Sequence, residues 1–367
     1  MSVPVLTPQL DTLRRELSEQ LADPGAAARL RSGIGEARRS GRPGVLNALE
    51  EVCNVLDGGG WEPVGSPEPA ARLGGTLREQ LVVHPREKRE RQHQLASVLS
   101  KILHLFRGSD MARAVARVTE AATPPAYPGF CRLLAQCAAT AEMEPPAVRV
   151  ARGEERLFAV LLDRSPFLCV HRDFVALEER SPLPAPAVRF GIGRCLEHLR
   201  GGHAALLQLS PDVLEAMVLD ELPFLVRHPV KLASKVVGWT RANEAVRRVG
   251  ERLPQQSAGQ RMANTLGDLL PEHGQETVLP EAVHAWVRSW IQGVELSADR
   301  GGLLQAGSVS AACEGLLRFS PLVDADTHVL RGARPLLTTA QSRERELAER
   351  LRELLRFALS EEYLATR

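Results

Sequence analysis

The 367-residue chain reads as mainly α-helical with one small β-sheet, an α+β fold. Three observations carry that reading. Aromatic residues make up only 4% of a chain that is 44% hydrophobic, so aliphatic side chains, chiefly Leu, Ala and Val, must fill its core. Apolar residues recur at spacings of three and four through most of the sequence, which is the period of one helix face. Strand-like patterning is confined to the stretch from Ala147 to Val170.

Leu10, Leu13, Leu17 and Leu21 share a helix face, Ala26 to Ala37 continues the helical pattern, and Val45 to Leu56 carries Leu46, Leu49, Val52 and Val55. Residues 1–57 are therefore expected to form a helical hairpin or bundle. Asp57-Gly-Gly-Gly-Trp-Glu-Pro-Val-Gly-Ser-Pro-Glu-Pro69 puts turn formers where the periodicity stops, which makes 58–70 a Gly/Pro-rich linker. Pro85 to Arg107 predicts an amphipathic helix. Its Arg86 to His93 run reads as a mixed-charge solvated face, and Leu95, Val98, Leu99, Ile102, Leu103 and Phe106 form a stripe for the core or for a partner. A helix over Met111 to Ala122 ends at Thr123-Pro-Pro125, so residues 71–124 form a helical region resting on the remainder, 125–367.

In that remainder Phe130 to Ala141 is helical up to Pro145-Pro146. Val148 and Val150 alternate with charged neighbours, Leu157 to Leu162 is an apolar run, and Phe167 to Val170 makes a third short strand. A helix from Ala187 to Leu199 starts after Pro186 and stops at Gly201-Gly202. Pro211 to Leu225 and Pro229 to Leu253 are expected to be helices lying over it. Pro280 to Leu304, Ser310 to Phe319 and Ala340 to Leu364 complete the chain.

Two segments draw the chemistry together. Arg194-Cys195-Leu196-Glu197-His198 has the frame of an HExxH helix, in which imidazoles at i and i+4 bind Zn²⁺ and the Glu between them serves as general base. Only the second His is present. Glu295-Leu-Ser-Ala-Asp299-Arg300 has the spacing of a third carboxylate ligand followed, one turn later, by an Asp that orients an imidazole. With Ala139 to Val150 as helix exit and first strand, Phe167 to Leu177 as strand and short helix, and Arg350 to Tyr363 as terminal helix, residues 125–367 resemble one metallopeptidase family. That family includes the heat-shock protease HtpX and the CAAX prenyl endopeptidases.

The resemblance implies a zincin-like domain in which His198 and Glu295 are former ligand positions and Asp299 a former supporting group. Arg194 then stands in the place of the first imidazole. A guanidinium has no lone pair to give, so it cannot bind zinc and is expected to face Glu295 and Asp299 as their counter-ion. Cys195 stands where the general base would be, and its plain reading is a small apolar helix residue. The expectation is a site without metal or catalysis and a protein that binds or scaffolds a protein or peptide partner. The competing class is a metal-dependent hydrolase holding zinc through Cys195, His198 and Glu295; a Cys195–His198 nucleophile pair is a further alternative. Reading the segment as a reversed HxxEH motif still leaves Arg194 in a ligand position. His203 is expected to be structural, and His84, His171, His228 and His328 to be turn or surface residues.

Composition excludes other classes. The 46 basic and 45 acidic residues are interspersed, so there is no electrostatic footprint for nucleic acid. Only four basic residues, Lys88, Lys101, Lys231 and Lys235, are lysines, a bias that a GC-rich coding sequence also produces. Six cysteines without CxxC pairs fit a reducing compartment, and neither a leader pattern nor an apolar run of the ~18 residues a span needs is seen. A soluble cytoplasmic protein is expected.

Overall fold

The computed structural model describes residues 6–39, 41–58, 60–70, 72–91, 115, 119–152, 158–163, 165–175, 185–204, 206, 278–319, 332–338 and 342–367. The expected helices at 211–225 and 229–253, the Leu95 to Phe106 stripe, His228 and His328 lie outside these residues. Within them the chain is mostly helical, with a small mixed four-stranded sheet.

Three helices open the chain: α1 (Pro8–Glu19), α2 (Pro24–Ala37) and α3 (Pro43–Asp57). Each starts on a proline, whose fixed φ suits the first turn and whose missing N–H would have been unpaired there. Thr7 and Asp23 cap α1 and α2 by accepting from Leu10 N and from Gly25 and Ala26 N. Gly58, at φ 71°, ends α3 in the left-handed conformation that glycine adopts without strain. These helices bury Leu10, Leu17, Leu30, Leu49 and Val52 in one apolar cluster with Leu316, Leu351, Leu355 and Tyr363 near the other end of the chain. Glu51 pins this arrangement, accepting from Val64 N (2.8 Å), Ser308 Oγ (2.8 Å) and Ser310 N (3.0 Å).

A second apolar cluster lies under the sheet. Strands β1 (Glu120–Ala121), β2 (Val148–Ala151), β3 (Phe158–Asp163) and β4 (Ser165–His171) pair in the order β1-β2-β4-β3, parallel between β2 and β4 and antiparallel elsewhere. The strands' Val150, Val160, Leu168 and Val170 meet Phe130 and Leu134 of the helix Pro128–Thr140 and Val188, Ile192 and Leu196 of the helix Ala185–Arg200.

Before the sheet, Gly75–Leu77 passes into a π-helical turn, Arg78–Val82, and then into α4 (Pro85–Arg91). The remaining helices are, in order, α5 (Pro128–Thr140), α6 (Ala185–Arg200), α7 (Val278–Ala306), α8 (Val309–Arg318) and α9 (Ser342–Ala358). The short helices Arg172–Val175, Arg334–Thr338 and Glu361–Leu364 join them.

Helices α6 and α7 pack closely along one another, and glycines permit it. A Cβ on Gly302 would lie 2.7 Å from Phe190 Cδ2, 2.8 Å from the Phe190 carbonyl and 2.9 Å from Arg194 Cγ. A backbone oxygen cannot swing aside as a side-chain tip can. Gly302→Ala is therefore expected to lower stability by about 1–3 kcal/mol through overpacking, read as a fall in the denaturant midpoint at unchanged slope.

Three sequence expectations are corrected. Glu120–Ala121, expected to close a helix running from Met111, is strand β1, because its backbone pairs with β2 and Ala122 N donates to Val148 O (3.0 Å). The Arg86 to His93 run is not a uniformly solvated face: Glu87 is 0% and Glu90 8% exposed, since α4 packs on α7, where Gly293 leaves room for its backbone. Nor are His84 and His171 surface residues. Both are buried, His84 with its backbone N–H donating to Ser297 Oγ (2.9 Å) and His171 in the last residue of β4.

Candidate functional site

The α6–α7 crossing brings Arg194, His198, Glu295 and Asp299 together. On α6, Arg194 and His198 are one turn apart and face α7; on α7, Glu295 and Asp299 are likewise one turn apart and face α6. Arg194 Nη2 donates to Glu295 Oε2 at 2.6 Å. Its Nε lies 2.7 Å from Asp299 Oδ1, an ion-pair contact without hydrogen-bond alignment. The guanidinium thus bridges the two carboxylates that the sequence pairs it with.

A second guanidinium, on the terminal helix and not among the site residues expected from the sequence, completes the cluster. Arg350 of α9 donates from Nε and Nη2 to the two oxygens of Asp299 at 2.8 and 2.7 Å, and its Nη1 lies 3.2 Å from Glu295 Oε2. This two-pronged contact matches the flat guanidinium to the flat carboxylate. A sequence signal for it exists. Arg350 interrupts the buried α9 face of Leu347, Leu351 and Leu354, where a charge needs a partner. The count inside the cluster is two positive charges against two negative ones.

The electrostatics follow from that count. Burial works against a charge on Glu295, but Arg350 and Arg194 outweigh it and hold its carboxyl down at about 2. Burial also opposes the charge on Arg350, and Asp299 and Glu295 more than restore it. His198 is placed in the same pocket, Nε2 3.4 Å from Glu295 Oε1, yet burial lowers its pKa to about 3 and leaves the imidazole neutral. Its Nδ1 is enclosed and has no hydrogen-bond partner among the described residues. The role that the resemblance implies for Asp299, orienting an imidazole, is here replaced by contact with Arg194 and Arg350.

Cys195 is one residue from Arg194 but turned about 100° round the helix. It is 3% exposed in the apolar cluster beneath the sheet, where burial pushes its thiol up to about 12. A thiol so disfavoured as thiolate is a poor nucleophile and a poor ligand. Among the described residues no group of three or more His, Cys, Asp or Glu side chains is arranged to hold a metal ion.

A flanking set of charges lies at the C-terminal end of α6. Glu197 is buried and pushed up by that burial, against the pull of Arg200 (3.3 Å) and of Arg78, which donates to it at 2.8 Å. His203 is buried with its ring centroid 6.3 Å from that of His198, and its Nε2 lies 3.9 Å from Glu87 Oε1. Burial brings its pKa down to about 4.

The charges of the pocket are balanced. A carboxylate held near 2 is too weak a base to take a proton from water near neutrality, and each guanidinium is committed to a carboxylate. Comparison with protein-family models, with curated proteins and with solved structures finds no match to this chain.

Proposed function

We propose that the chain is a degenerate relative of the HtpX and CAAX prenyl endopeptidase family, a zincin-like domain that has lost its metal chemistry and works as a protein-binding or scaffolding module. The observation that carries this is Arg194 lying between Glu295 and Asp299, where a first imidazole and a cation would stand in an active relative. Together with Arg350 it supplies the positive charge that a divalent ion would otherwise give these carboxylates. The His198–Glu295 spacing of 3.4 Å supports the ancestry. Two ligands of one tetrahedral zinc, each about 2.0–2.2 Å from the ion, stand roughly that far apart.

The alternative hydrolase built on Cys195, His198 and Glu295 gains no support: Cys195 is buried among apolar side chains beneath the sheet, and among the described residues these three are not grouped to hold an ion. No described helix is long and apolar enough to cross a membrane, and all six cysteines are free thiols, which is compatible with the cytoplasmic setting proposed here. The partner in this reading is a protein or peptide.

Elemental analysis after incubation with excess zinc tests the reading directly. The wild-type chain is expected to retain no stoichiometric zinc and to cleave no peptide, whereas Arg194→His combined with Cys195→Glu is expected to take up about one equivalent through the restored triad. Chelator-sensitive proteolysis by the wild type would overturn the inactive reading. A folded double variant that takes up no zinc would overturn the ancestry.

A further inference from the structure

Residues 72–91 form a strap across the C-terminal half of α6 and along α7, and most of its anchors are well satisfied. Leu73 N donates to Thr140 O (2.8 Å), Leu73 O accepts from Arg200 Nη1 (2.6 Å), and Arg78 Nε donates to Glu197 (2.8 Å). His84 N donates to Ser297 Oγ (2.9 Å), while Leu73, Leu81, Val82 and Val83 are buried. Gly293 admits the strap so closely that a Cβ there would lie 2.6 Å from Glu87 N.

One anchor differs from these. Glu87 is 0% exposed, yet among the described residues its Oε2 has no hydrogen-bond donor. Its Oε1 meets Arg91, a neighbour on the same helix whose side chain is 41% exposed, and among the described residues otherwise only His203 Nε2 at 3.9 Å, beyond hydrogen-bond reach. A second buried carboxylate, Glu197, is near enough for the two like charges to oppose each other. A carboxylate kept from water with half its hydrogen-bonding capacity unused lowers stability, and an apolar side chain of similar length would fill the same space without that cost. A side chain held at such a cost marks a place set to open.

We propose that residues 78–91 are a releasable strap over the α6–α7 face, with Glu87 as its weak latch. Opening returns Glu87 to water, separates it from Glu197 and uncovers His203, which lies 3.9 Å from Glu87 in the closed form. The opening is local, because α7 remains tied to α6 and α9 through Arg194 and Arg350. This inference does not depend on the ancestry proposed above, since its readout needs neither metal nor partner.

Hydrogen–deuterium exchange of the full chain, followed by mass spectrometry, tests it. In the wild type the amides of 78–91 should exchange at least about tenfold faster than those of 293–303 in α7, as expected for a sub-global opening. Glu87→Met should slow exchange across 78–91 by about tenfold, the equivalent of removing one unsatisfied buried group, and raise the thermal midpoint. Arg91→Ala, which strips the latch of its guanidinium partner, should speed it. Strap amides that exchange at the α7 rate in the wild type would overturn the proposal. So would a Glu87→Met or Glu87→Gln protein that exchanges faster than wild type or fails to fold.

Discussion

Asp299→Ala is expected to cost the fold about 3–5 kcal/mol, the loss typical of breaking a buried charge network by removing one partner. Asp299 is 1% exposed, accepts both prongs of Arg350 and touches Arg194. Without it two guanidiniums share the single carboxylate of Glu295, in a pocket where water cannot take up the surplus charge. That loss is a large fraction of the ~5–15 kcal/mol by which domains are stable. Equilibrium unfolding in guanidinium chloride gives the measurement. Arg350→Met should be costly for the same reason, but Asp299→Ala joined to Arg350→Met should cost less than the two singles added, because the second change removes the charge that the first one strands. A loss under about 1 kcal/mol for Asp299→Ala, the value of an exposed pair, would mean that the cluster is solvated and not structural.

The cluster also shows what a sequence can and cannot reveal. Helical spacing places Arg194 with His198 on one face and Glu295 with Asp299 on another, but that the two faces meet is implied only by the resemblance to the metallopeptidase family. The helices α1 to α3 and α5 to α9, and strands β2 to β4, were legible for the related reason that periodicity reports which face is buried. Arg350 was hidden by distance along the chain, since it meets Asp299 only after α9 has docked on α7. Glu87 and Glu90 were hidden by composition, because a run of alternating charges has the pattern of a solvated helix even when a glycine on α7 draws that helix inward. Strand β1 is two residues long and owes its extended form to pairing with β2, a tertiary cause that no local propensity carries.

Acid should unfold this protein from a higher pH than carboxylate titration alone would set. His198 and His203 are neutral in the fold, their pKa values lowered by burial to about 3 and about 4 from an ordinary 6.5, and burial lowers that of His84 as well. Below pH 6.5 the unfolded chain takes up protons that the folded chain refuses, so stability is full above 6.5 and falls as the pH drops toward the folded values. Each imidazole contributes up to about 1.4 kcal/mol per pH unit over that window. Two together remove up to about 5 kcal/mol between pH 6.5 and 4.5, comparable to a modest domain's whole stability. Glu295, held down by Arg350 and Arg194 against its burial, and Glu353, held down first by its bond from His84, act in the same direction but lower, where pH falls from 4.5 toward about 2. Denaturant midpoints measured at half-unit steps from pH 7.5 to 4.5 should therefore decline through the imidazole range, and His198→Gln with His203→Gln should flatten that decline. A wild-type midpoint that stays level down to pH 5 would show that the two imidazoles are open to water, and the enclosed pocket described for α6 and α7 would have to be redrawn.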